Sequence, residues 1–162
     1  MKFSTSIKWR YVVLNTQQLL VILSIIFINK ECLADKPTPT GEIIDTQSCV
    51  KKQVGGGKAL IEIYKEGKNA FIGKLTVAAN GQVPKHRDPT EEYLLIESGQ
   101  GEITIDGKTM NVKAGDFIYM PAHAEVSFKN GNQTLIALQI FAGPKSARKY
   151  DKWQRVPPKK KD

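Results

Sequence analysis

From Lys58 onward the chain alternates apolar and polar residues in short runs, each stopped by a turn-forming pair. Lys58 to Tyr64 (KALIEIY) and Ala70 to Ala78 (AFIGKLTVA) carry the β-branched and apolar residues that favour strands, with Gly67-Lys68-Asn69 as the turn between them. Six further strands are predicted at 92–97, 102–105, 109–112, 117–120, 125–128 and 134–141. Ser98-Gly99, Asp106-Gly107, Ala114-Gly115 and Asn130-Gly131 punctuate them, each offering a residue that tolerates positive φ. Asp106-Gly107 joins two alternating runs directly and predicts a tight hairpin. No apolar 3.6-residue period runs long enough in this region for a substantial helix. Strands and turns recurring about every eight to twelve residues predict an all-β sandwich or barrel.

The N-terminal part reads differently. Lys2, Lys8 and Arg10 precede an apolar run from Leu19 to Ile28 (LLVILSIIFI), and polar residues then lead to Cys32-Leu33-Ala34. The apolar run is about half the length a membrane-crossing helix needs. The pattern predicts a secretory signal over 1–34, cleaved after Ala34, and hence a secreted or periplasmic location. An uncleaved amphiphilic anchor is the alternative, because the stretch before the apolar run is long. Residues 35–57 are predicted as a Pro-containing linker and a first edge strand, 58–144 as the barrel, and 145–162 as a basic C-terminal tail. After cleavage Cys49 is the one remaining thiol, either buried or paired between chains.

Charge narrows the partners. The chain carries a net +8, and the tail contributes much of it: eight Lys or Arg from Lys145 onward stand against Asp151 and Asp162. The barrel segment itself is close to neutral, which argues against nucleic-acid binding. The tail reads as a solvated end, with an anionic envelope surface as its candidate partner. Tyr150 and Trp153 leave open whether it stays loose or folds back. Gly55-Gly56-Gly57-Lys58 lacks the spacing of a phosphate loop and reads as a turn.

The chain's two histidines fall within two motif-like blocks. The first runs Gly81, His86-Arg87-Asp88, Glu92, Gly99, and the second Gly115, Pro121-Ala122-His123, Val126, Asn130. On an extended strand His86 and Asp88 point to the same face. These blocks resemble the paired motifs of the cupin superfamily, with small single-domain cupins the nearest in type, over about Lys58 to Pro144. The resemblance implies a double-stranded β-helix, a jelly-roll barrel with a ligand or metal site in its mouth.

Cupin metal sites usually take His-x-His and a glutamate from the first motif and a further histidine from the second. In this chain Asp88 stands at the second histidine position and Val126 at the last, while His123 stands where the family pattern has glycine. The resemblance therefore supports His86 and Glu92 as metal ligands and Asp88 as a chemical substitute. This oxygen-rich set favours Mn or Fe, with Zn accommodated. The alternative is a metal-free cluster in which His86 hydrogen-bonds an acid. His123 is a candidate proton carrier at the mouth. The reading is of an exported barrel with a pocket for a small polar ligand such as a sugar or organic acid, metal-assisted or not. A non-catalytic binding or structural barrel, or an envelope interaction protein acting through its tail, are the competing readings. A homodimer is implied by resemblance alone.

Overall fold

A computed structural model describes residues 40–157. The predicted signal, its cleavage site and the last five residues lie outside them. Residues 40–42, exposed coil, belong to a preceding unit, and Ile43 onward forms a unit of its own. Among the described residues no helix is long and apolar enough to cross a membrane.

Among the described residues the second unit is built from eleven strands. In chain order they are β1 (Val50–Val54), β2 (Ala59–Glu66), β3 (Phe71–Val77), β4 (Gln82–Arg87), β5 (Glu92–Ser98), β6 (Gln100–Ile105), β7 (Lys108–Lys113), β8 (Phe117–Met120), β9 (Glu125–Asn130), β10 (Leu135–Phe141) and β11 (Gln154–Arg155). All pairings are antiparallel, in a seven-stranded sheet ordered β11-β1-β2-β3-β10-β5-β8 and a four-stranded sheet ordered β4-β9-β6-β7. The fold is thus all-β. Each predicted strand coincides with an observed one to within about two residues at either end. The predicted hairpin joins β6 to β7, with Asp106 at φ 46° and Gly107 at φ 83°. The triple glycine is the turn between β1 and β2.

Alternation sets the interior. Along β10 every second residue is buried, which turns Leu135, Ala137, Gln139 and Phe141 to one face. Val77, Ile96, Ile103, Met120 and Leu135 anchor one apolar core shared by the two sheets. Each such side chain contributes about 1.5–3 kcal/mol by leaving water. Glu62 on β2 is buried between Lys51 of β1 and Lys74 of β3, its direct cross-strand neighbours, at 3.0 and 3.1 Å.

A second core corrects the expectation of a loose basic tail. A 3₁₀ segment, Ser146–Lys152, follows β10 and buries Ala147 and Tyr150 against Ile61, Phe71 and Phe141. Tyr150 lies 5.7 Å from the Phe71 ring and 4.8 Å, edge-on, from Trp153. Asp151 pairs with Lys52, and β11 adds to the edge of β1. Residues 146–155 are therefore a strap on the barrel, held by aromatic burial rather than left in solvent.

Candidate functional site

The strand that carries the first motif is β4, an edge strand of the four-stranded sheet. Pro84 has no N–H to give, and the β4–β9 register shifts between Val83 and His86. The irregularity leaves the Pro84 carbonyl free to accept from the His86 ring, with Nδ1 at 2.9 Å. Nε2 then faces Asp88, 3.5 Å from Oδ2. Glu92 opens β5, fully inside, where the amide of buried Gln139 donates to its carboxylate. His86, Asp88 and Glu92 each offer one potential ligand atom, all within 4.8 Å of one another.

The electrostatics follow from this packing. The hydrogen bond with Asp88 outweighs burial and raises the pKa of His86. Burial pushes the Asp88 carboxyl up, but His86 and Lys149 together outweigh it and hold it below the usual range. Burial dominates at Glu92 and raises its pKa. Lys149, on the strap, is the residue that sequence reasoning did not mark. Its ammonium donates to Asp88 Oδ2 at 2.7 Å and lies 4.7 Å over the Phe141 ring. Tyr150, one residue on, donates to Gln139 and so reaches Glu92 through one intermediary. The signal available in the sequence was the aromatic pair Tyr150 and Trp153 inside a basic run.

The cluster lines a cavity of about 380 Å³. Most of the remaining wall is apolar and comes from both sheets, including Leu75, Leu94, Ile96, Ile118, Val126 and Phe128. Val126 is the direct cross-strand partner of His86 and also lines the cavity. The position where the resemblance expects a last histidine is thus beside the cluster, filled by a side chain that cannot coordinate.

His123 is not brought into this arrangement. It is exposed, does not line the cavity, and contributes through its backbone: its N–H donates to the Asp88 carbonyl at 2.7 Å and its carbonyl accepts from Arg87 at 2.7 Å. Its φ is 65°, the left-handed region, which explains why the family pattern carries glycine there. What these contacts show for His123 is a turn that fixes the end of β4 through its backbone.

As a donor set the cluster suits a divalent ion. Two carboxylates match its charge, and engagement of Nδ1 with Pro84 fixes the ring so that Nε2 faces Asp88. The same Asp88 carboxylate is held by Lys149, so an ion and the ammonium claim one ligand.

Residues 73–141 match the family model described as a cupin domain. An uncharacterized protein of Aquifex aeolicus (strain VF5) is 26% identical over 102 residues, covering 62% of this chain and 84% of its own. Among solved structures, an RmlC-like cupin from Shewanella frigidimarina is similar at TM-score 0.58 and 13% identity, covering 64% of this chain and 92% of the other. A predicted oxalate decarboxylase from Thermotoga maritima is similar at 0.57 and 18%, covering 63% and 99%. The polyketide cyclase RemF from Streptomyces resistomycificus is similar at 0.56 and 18%, covering 63% and 79%. The chain thus carries a cupin-domain match over residues 73–141, and its fold is the double-stranded β-helix of these cupin neighbours.

Proposed function

We propose that the barrel binds a small amphiphilic molecule, with its apolar body in the cavity and a polar head at His86, Asp88 and Glu92. One observation carries this reading: a cavity of about 380 Å³, within the size range of small-molecule sites, has largely apolar walls and a single acid–imidazole cluster among its lining residues. A sugar would leave most of its hydroxyls facing hydrocarbon without partners, which costs more than the pocket returns. The small polar ligand expected from motif resemblance is narrowed in this way to one with a single polar end. His86, Asp88 and Glu92 would hold a divalent ion, Mn²⁺ or Fe²⁺ before Zn²⁺, and a bound ion would polarise an oxygen on that head. The cationic and apolar N-terminal pattern supports export of the barrel.

The test uses 1-octanol, octylamine and octanoic acid, which share a body and differ in head. Binding to the full chain is followed by isothermal titration calorimetry and by thermal shift. At least one should bind the natural chain. Val126→Phe, which fills the cavity, should abolish that binding with the circular dichroism spectrum unchanged, and His86→Ala should weaken it and alter the preference among heads. Binding that survives Val126→Phe at full strength, or no binding by any of the three, refutes the reading.

A further inference from the structure

We propose that Lys149 is the cation around which this acid cluster is organised, a tethered ammonium that must leave before a divalent ion can take the site. The inference rests on reading His86, Asp88 and Glu92 as one cluster and adds what governs its occupancy.

Three independent observations converge on it. The first is position: Nζ sits 2.7 Å from Asp88 Oδ2, with Lys149 and Asp88 side chains only 32% and 14% exposed. The aromatic face of Phe141 lies 4.7 Å from the ammonium, where a ring favours a cation. The second is the pattern of substitutions in the motifs. An ammonium has three donors and no acceptor, and it pairs more strongly with an anionic carboxylate than with a neutral imidazole nitrogen. Asp88 standing where the family pattern has histidine adds such an acceptor, and Val126 standing at the last histidine position removes a metal donor. The first gives the lysine an anionic partner, and the second leaves the ion one donor fewer.

The third is the way the strap is fastened. The Ser146 and Thr90 hydroxyls are hydrogen-bonded, Asp151 pairs with Lys52, and Tyr150 is buried in the second core. Lys149 therefore reaches the cluster from an element anchored on both sides of it. The strap contacts Asp88 directly through Lys149 and is linked to Glu92 by way of Tyr150 and Gln139 of β10. A divalent ion bound by the same carboxylates would stand beside an ammonium of like charge, so ion binding and strap docking oppose each other. Lys149 is a specificity-determining residue for the site's cation.

Mn²⁺ is the probe, measured on the full chain by the loss of the free-ion electron paramagnetic resonance signal and by calorimetry. Lys149→Met keeps the stem over Phe141 and removes the charge; Lys149→Gln serves as a second variant if the first folds poorly. Either should bind Mn²⁺ about tenfold or more tightly than the natural chain. His86→Ala in the same background should abolish the gain. In a Trp9→Phe background, where Trp153 is the reporter, Mn²⁺ should shift the emission of the lysine-containing chain as the strap moves. Equal Mn²⁺ affinity with and without Lys149 overturns the inference and leaves the cluster standing as an ion site. No Mn²⁺ binding by any of these chains overturns it together with the ion site, while amphiphile binding, measured separately, decides the pocket.

Discussion

Truncating Tyr150 to alanine measures how far the strap belongs to the fold. Tyr150 is 2% exposed and packs against Phe71, Phe141 and Trp153, with its hydroxyl bonded to Gln139, itself 2% exposed. Removing a buried aromatic side chain costs about 3–5 kcal/mol. Loss of the hydroxyl leaves the Gln139 oxygen without its donor, which costs roughly 1–3 kcal/mol where water cannot reach it. Tyr150 also borders the cavity, so water can enter the vacated space and offset part of the second cost. The net expectation is about 4–7 kcal/mol for Tyr150→Ala and roughly 1–2 kcal/mol for Tyr150→Phe, which keeps the ring and removes the hydroxyl alone. Urea unfolding followed by far-ultraviolet circular dichroism and extrapolated linearly gives both values. A loose surface tail would move stability by no more than about 0.5 kcal/mol. If Tyr150→Ala costs less than about 1 kcal/mol, the strap is not part of the core and the argument for Lys149 loses its anchor.

Two further outcomes follow from other parts of the structure. Glu62 is desolvated, but its hydrogen bonds to Lys51 and Lys74 outweigh burial and lower its pKa from 4.5 in the folded chain. A carboxyl depressed by folding contributes stability that is present above its unfolded pKa and lost as pH falls through the folded one. Urea titrations from neutral pH to below 4.5 should therefore show a shallower acid limb for Glu62→Gln than for the natural chain, and parallel limbs would contradict the assignment. Val126→His places an imidazole directly across from His86 on the same barrel face. In the Lys149→Met background it should tighten Mn²⁺ binding by about tenfold or more, about 1.4 kcal/mol, by calorimetry, and an unchanged affinity would show that residue 126 is out of reach of the ion.

What was legible in the sequence and what was not divide along a physical line. Strands with one buried face announce themselves, since alternation is a local consequence of the pleat; β3, β5 and β10 read directly for that reason. β4 does not read as a strand: QVPKHR holds a proline and three basic side chains, tolerable because it is an edge strand with an irregular register. The first-motif residues were legible because i, i+2 spacing and the step into β5 determine which face they share. Lys149 was not, because it lies 61 residues beyond Asp88 and its role exists only once Tyr150 is buried. Nothing about the residue itself separates it from the other basic side chains of the tail. Its distinction lies in the two positions before and after it in space: a hydrocarbon core that fixes the strap, and an acid where the family pattern expects an imidazole. A carboxylate at residue 88 and a missing donor at residue 126 are visible in the sequence, and together they are the trace a substitute cation leaves. Here the ammonium that pairs with Asp88 comes from the strap, a segment that the burial of Tyr150 holds against the barrel.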